Sequence, residues 1–316
     1  MRPKYFIGSR GSDLALWQSN TVRSQLETLF PTASFEIKII STTGDELQEV
    51  ALSKIGDKGL FTRHIETALL RGEIDFAVHS LKDLQTVQPD GLIIGAVCER
   101  EKPNDVLISR RFSTLDDLPD GAKVATGSLR RRTQLLHRRP DLEIIEIRGN
   151  VPTRLNKFLE SDLDGMVLAF AGLNRLGLAY EISHSIPVQI MLPAVGQAAI
   201  AVEIRKDDKA VASMAAKLNH EPTAIAVSAE RAFLRHLEGG CQVPIAGLAT
   251  VENGTVHLDG LVGSLDGSVV LRESAACPLS AAEQTGTKLA ERLLEIGARE
   301  LLTRLEQNAI PAEPVL

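Results

Sequence analysis

The sequence predicts two α/β lobes joined by two chain crossings, followed by a small C-terminal α+β domain. Three observations predict it. Short apolar runs alternate with amphipathic stretches from Tyr5 to Ile204, the expected rhythm of strands and helices. The pattern breaks at two polar or Pro/Gly-rich segments, Glu99–Asp105 and Leu192–Gln197, and starts afresh after each. From Pro222 it changes to one helix, three short strands and a last helix. A length of 316 residues agrees with two or three domains. The expected boundaries are 1–100 with 198–218, then 101–197, then 219–316.

In the first lobe, Tyr5–Gly8 is a strand running through Ser9-Arg10-Gly11-Ser12 into a helix with Leu14, Trp17, Val22, Leu26 and Leu29 on its apolar side. Such a turn gathers free backbone N–H groups and favours anions. Phe35–Ile40 is the next strand, and Thr42–Gly59, glycine-containing and without firm periodicity, reads as a mobile loop. Leu60–Leu70 is helical and Asp75–His79 is a buried strand. Ser80-Leu81-Lys82-Asp83 follows at its carboxyl end, where α/β sheets bind ligands. Leu92–Cys98 is a further strand.

The second lobe repeats the scheme: strand Lys123–Ala125, a helix Leu129–Arg138 that Ser128 can cap, strand Leu142–Ile147, helix Pro152–Leu159 and strand Gly165–Phe170. Ala198–Ile204 is expected to return to the first lobe. In the third domain Pro222 suits a helix first turn, and the helix stops at Gly239-Gly240. Asn253-Gly254 and Asp266-Gly267 mark hairpin turns, and Ser280-Ala281-Ala282-Glu283 reads as a capping box opening a long last helix through Leu305.

Composition narrows the function. With 44% hydrophobic and 24% charged residues and no apolar run of membrane-spanning length, a soluble protein is expected. The start Met1-Arg2-Pro3-Lys4 has no signal-peptide pattern, so export is not expected. Cys98, Cys241 and Cys277 are far apart and in no metal-ligand spacing, so neither a disulfide framework nor a metal site is expected, and a cytoplasmic location fits. A net charge of −6 argues against nucleic acid as the partner but leaves a local basic cleft open.

The arginines supply that cleft. Arg130, Arg131 and Arg132 fall in the first turn of a helix, where the dipole disfavours cations by some tenths of a kcal/mol each. Arg148 and Arg154 flank a second helix start, Arg10 a third, and Lys82 a strand end. Guanidinium binds carboxylate or phosphate bidentately, so the set points to a ligand bearing several anionic groups. Solvated surface arginines are the plain alternative. Asp83 beside Lys82 reads either as a surface ion pair or as a carboxylate that stabilises a developing cation. Cys241 follows a helix C-terminus, whose negative end raises a thiol pKa, so an activated nucleophile is not expected. Its Gly239-Gly240 setting lets another group approach closely. Cys98 and Cys277 read as core residues, Trp17 and Phe61 as packing, with Phe61 beside the loop placed to cover the cleft.

Taken together these stretches resemble the porphobilinogen deaminases, or hydroxymethylbilane synthases. The likeness runs almost end to end, through Ile7–Ser12 with Leu16-Trp17-Gln18, Lys58–Thr62, His79–Leu84, Ser128–Arg131, Arg148–Val151 with Thr153-Arg154-Leu155, Ala171–Leu173 with Arg175-Leu176, Pro193–Gln197 and Leu237–Pro244. It implies two lobes like periplasmic binding proteins and a cytosolic enzyme acting on porphobilinogen; a monomer is expected besides, and from charge and hydropathy neither a nucleic-acid nor a membrane partner. It also implies a dipyrromethane cofactor attached by a thioether at Cys241, to which four porphobilinogen units are added with loss of ammonia before the linear tetrapyrrole is released by water. By the same match, Asp83 is the catalytic carboxylate, stabilising the azafulvene cation. Lys82, Ser80, Thr126, Ser128, Arg130 and Arg131 hold cofactor carboxylates. Arg10, Ser12, Gln18, Arg148, Arg154 and Arg175 handle substrate and the growing chain, and Phe61 belongs to the lid. No metal is implied. Ala125, Gly127, Gln85, Asp57 and Ala198 depart from the family's usual residues. A solute-binding module and a transcriptional effector domain share the lobes, yet neither accounts for Cys241 or the third domain.

Overall fold

The computed structural model describes residues 3–42, 62–237 and 243–308. In the first lobe β1 (Lys4–Ser9), β2 (Ser34–Ile39), β3 (Phe76–Ser80) and β4 (Leu92–Val97) are joined by β10 (Ile200–Arg205) in the order β2-β1-β3-β10-β4. β1 pairs in parallel with β2 and β3, while β10 runs antiparallel between β3 and β4. The second sheet, from β5 (Asp105–Ile108), β6 (Lys123–Ala125), β7 (Glu143–Ile145), β8 (Gly165–Ala169) and β9 (His184–Ser185), has the order β7-β6-β8-β5-β9. Here β5 is the antiparallel strand beside β8. Each lobe thus takes in one antiparallel strand delivered by a crossing. Helices α1 (Asp13–Leu29) and α2 (Arg63–Leu70) serve the first sheet. Helices α3 (Leu129–Arg138), α4 (Val151–Leu159) and α5 (Phe170–Arg175) serve the second, and α6 (Lys209–Ala215) packs back on the first.

Most of the expected elements form, with differences that have physical reasons. β5, β9 and α6 are not expected from the sequence: β5 is four wholly buried residues with no alternation to betray it, and the other two are short. The strand expected over Leu142–Ile147 pairs only at Glu143–Ile145. Ser128 precedes α3, but its hydroxyl makes no capping bond. Its N–H donates to Thr126 Oγ1 at 3.3 Å.

The third unit packs helix α7 (Glu221–His236) against a sheet of β11 (Ile245–Glu252), β12 (Thr255–Gly263) and β13 (Val270–Pro278), with α8 (Ala282–Leu293) across α7. Asn253 and Gly254 have φ of 50° and 76°, the pair of positive values a two-residue hairpin turn needs. The capping box is not realised. Ser280 lies inside a 3-10 turn, Leu279–Ala281, one step ahead of the amides it would serve, and Ala281 caps α8 without a side-chain bond. The long last helix is also broken, at a π-helical segment Leu294–Ala298 where Gly297 has φ 119°, before α9 (Arg299–Asn308).

Candidate active site

Both lobes present strand ends and helix starts to a common cleft. β1 ends at Ser9 and hands Arg10, Gly11 and Ser12 to α1, where Ser12 Oγ accepts from Ala15 N at 3.4 Å. β3 ends at Ser80, and Leu81–Asp83 forms a 3-10 turn. Gln18, buried in α1, donates to Ser80 Oγ at 2.8 Å and ties the two strand ends together. A small pocket of about 70 Å³ is lined here by Arg10, Ser12, Gln18, Ser80 and Asp83 among others. Of the first-lobe residues expected at the site, the pocket brings these five together, while Lys82 is not among its lining.

From the second lobe, Thr126 and Ser128 follow β6, and Arg130 and Arg131 open α3. Arg148 precedes Asn150, whose side chain caps α4 by accepting from Thr153 N at 2.9 Å. Asn150 starts the helix so that Arg154 lies one turn in. Electrostatics places these groups beside the first lobe's turn. Burial lowers the Lys82 ammonium to about 8; Arg131 and Arg130 add to the shift and Asp83 opposes it. Burial likewise lowers Arg154 to about 10, with Arg131 and Arg148 repelling it and Asp83 attracting it. The cleft is thus crowded with positive charge around the Asp83 carboxylate.

Arg130 and Arg131 are held differently from the sequence expectation. Both are buried, and both grip Asp105, the first residue of β5. Arg130 donates to its two oxygens at 2.5 and 3.1 Å, and Arg131 donates to Oδ1 through Nε at 3.0 Å and through a terminal nitrogen at 2.7 Å. Arg130 also donates to Leu192 O and Gln197 Oε1, so both its terminal nitrogens are spent on protein acceptors. Arg131 adds Val167 O and retains N–H groups beyond these. Burial alone would push the Asp105 carboxyl up, but the two guanidiniums outweigh it and hold it well below the usual carboxylate range. This triad offsets the dipole penalty of two arginines in a helix first turn. Asp105 is the residue sequence reasoning missed: a lone acid after Pro103-Asn104 carries no local signal, and only its distant partners reveal it.

Arg175 is buried, donates to Ala198 O at 2.6 Å, and lies 5.4 Å from the ring of Trp17. Trp17, expected as a packing residue, is 38% exposed and packs its ring on the guanidinium, linking α1 to α5 across the lobes. Arg148 pairs with Glu146. Ala198 takes φ 72°, a left-handed conformation, where the family resemblance has glycine. A Cβ on Gly127 would meet Ile147 O at 2.9 Å, so this backbone leaves little room for the side chain usual there. Cys98 and Cys277 are buried free thiols, and burial pushes Cys98 up to about 11. Cys241, Phe61 and Asp57 lie outside the described residues, as does the expected loop beyond Thr42. Among the described residues no His/Cys/Asp/Glu group is arranged to hold a metal, and no helix is long and apolar enough to cross a membrane.

Comparison with known proteins matches two family models. Residues 5–213 match "Porphobilinogen deaminase, dipyromethane cofactor binding domain" and residues 224–295 match "Porphobilinogen deaminase, C-terminal domain". The porphobilinogen deaminase of Pelotomaculum thermopropionicum is 52% identical over 308 residues, 98% of this chain and 99% of that one. That of Desulforudis audaxviator is 52% identical over 309 residues, 98% of this chain and 100% of that one. Among solved structures, the methionine binding protein MetQ covers 68% of this chain and 89% of its own at 13% identity and a TM-score of 0.45.

Proposed function

The chain belongs to the porphobilinogen deaminase family, and on that premise we propose how its own residues carry the reaction. The activity is that of hydroxymethylbilane synthase, a deaminating transferase of tetrapyrrole biosynthesis: porphobilinogen units condense with loss of ammonia, and the linear product is released by water. The first two lobes bind a dipyrromethane cofactor. When bound, that group supplies the pyrrole carbon to which the first unit is joined, and it remains behind at release.

The residues present fit such a group. Lys82 and Arg154 have depressed pKa values because they are desolvated among other cations, a cost that carboxylates of a ligand would relieve. The observation that carries the proposal is Asp83 on a strand-end turn lining the pocket with Arg10, Lys82 beside it in the chain, and the Arg154 charge of the other lobe attracted to it. Asp83 accepts pyrrole N–H groups and stabilises the positive charge that develops as ammonia leaves. Lys82, Arg131, Thr126 and Ser128 hold cofactor carboxylates, with Ser80 fixed by Gln18. Arg130 contributes mainly charge, since its terminal nitrogens are spent. Arg10, Ser12, Arg148 and Arg154 orient substrate and the lengthening chain. Arg175 acts on the crossing at Ala198 more than on ligand directly. Cys241 anchors the cofactor by a thioether, and Phe61 covers the cleft. The three units are taken as 1–100 with 198–218, 101–197 and 219–316, supported by the strand membership of the three sheets. A cytoplasmic monomer is part of the proposal, the location supported by the free thiols of Cys98 and Cys277.

Intact-mass measurement tests the anchor. Purified protein is expected to exceed its sequence mass by one dipyrromethane, and Cys241→Ser to lose both adduct and turnover. An unmodified protein that still turns over porphobilinogen would refute the anchor. Asp83→Asn is expected to keep fold and adduct while slowing condensation by about a hundredfold or more; near-normal turnover would show the wrong carboxylate was chosen.

A further inference from the structure

We propose that Arg231 of α7 is a positioning residue for the catalytic turn, acting on Asp83 through the backbone carbonyls that follow it. The inference rests on the reading of Asp83 given above. Arg231 donates to Gln85 O at 2.6 Å, to Leu84 O at 3.4 Å and to Gln88 Oε1 at 3.3 Å. Gln88 in turn donates to Gln85 O at 2.7 Å, so the bend after Asp83 closes around the guanidinium.

Arg231 is buried, and among the described residues it has no carboxylate partner within ion-pair distance. Burial lowers it to about 10, with Arg235 repelling it further and the Glu203 carboxylate, beyond ion-pair distance, partly opposing the shift. A buried cation whose hydrogen bonds among the described residues all go to neutral oxygens is an expensive way to fill space, and a local rule broken in this manner points to a functional position. What it holds is the chain immediately after Asp83. The other side of the same turn is backed by the crossing: a Cβ on Gly196 would lie 3.0 Å from Leu81 Cγ and 3.2 Å from Lys82 N. Gly196 N–H donates to Glu230 Oε2 at 2.7 Å. Adjacent residues of α7 therefore grip the turn from two sides, Glu230 through the glycine behind it and Arg231 through the carbonyls after it. Val227, one turn earlier on the same helix, packs with Leu81 and Leu84. Through these contacts α7 sets the orientation of Asp83 in the cleft.

The test compares Arg231→Met and Arg231→Lys with the parent protein, measuring kcat and KM for porphobilinogen, the adduct mass and urea stability. Arg231→Met is expected to lower kcat about ten- to a hundredfold, the scale of a small misplacement of a catalytic group. KM should stay within about threefold and the adduct should remain. Arg231→Lys, which keeps the charge and reaches one carbonyl, is expected to recover part of kcat. A folded, adduct-bearing Arg231→Met with kcat within twofold of the parent overturns the proposal. A fall in urea stability with kcat unchanged also overturns it, because the residue is then only structural. If Arg231→Met does not fold, Arg231→Lys decides alone: an intermediate kcat supports positioning, and a parental kcat or a second failure to fold overturns it. Asp83→Asn, measured alongside, separates the premises. Full turnover in that variant overturns the site assignment and this inference with it. Loss in Asp83→Asn with parental kcat in Arg231→Met overturns the positioning role alone.

Discussion

Asp105→Asn is the sharpest test of how the cleft is built. The substitution keeps shape and volume but removes the one negative charge that Arg130 and Arg131 share, leaving two buried guanidiniums facing each other. The Asp105 side chain is 0% exposed, so water does not replace what is lost. Breaking a buried ion pair by removing one partner costs about 3–5 kcal/mol, and we expect a loss in that range by urea unfolding, with the slope of the transition checked for constancy. The pH dependence gives a second reading of the same quantity. The folded Asp105 pKa is depressed, so its contribution is fully present above the unfolded value near 3.9 and is lost as pH falls toward the folded value. The deficit of Asp105→Asn should therefore be constant at neutral pH and shrink only below about pH 4. Adding Arg131→Met should recover part of the stability, since the uncompensated charge is then halved. A loss below about 1 kcal/mol, or one that does not change below pH 4, would refute the triad.

Three further outcomes are expected. In the cofactor-free Cys241→Ser protein, Lys82 has a folded pKa of about 8, below its unfolded value near 10.4. The unfolded state then binds more protons between the two values, so stability should rise with pH through that window. Lys82→Met should abolish the rise, and an unchanged slope would show that another group is responsible. Ala198→Gly relieves a left-handed alanine worth about 1–2 kcal/mol but adds unfolded-chain freedom worth about 0.4–1, so a gain of roughly 0.5 kcal/mol in urea is expected; a loss above 1 kcal/mol would contradict it. Gly286→Ala puts a Cβ 2.1 Å from Ala229 O at the α7–α8 contact, and overpacking there should cost about 2 kcal/mol despite alanine's better helix propensity. A stabilised variant would mean the helices separate freely.

Much of this molecule is legible in the chain because it is local. Strand ends followed by Ser-Arg-Gly-Ser, Ser-Leu-Lys-Asp and Ser-Leu-Arg-Arg announce helix and turn starts that gather cations, and the polar crossings mark where the lobes part. The hairpin Asn253-Gly254 is encoded in its own two residues. What sequence alone misjudged involves competition or distance. Ser280 has the spacing of a cap, but the preceding 3-10 turn takes its place. Trp17 packs as its size suggests, but on an arginine 158 positions away in the chain that spacing does not specify. Arg130 and Arg131 stand out from their misplacement on a helix dipole, but the sequence does not show that Asp105 holds them. Arg231 showed nothing, because its acceptors are backbone carbonyls, which every sequence possesses. Local propensity and residue type thus determined the lobes, the crossings and the sign of the cleft. Tertiary structure decided which charges are spent on protein partners and which are not, because a buried charge takes its energy from partners that sequence spacing does not specify.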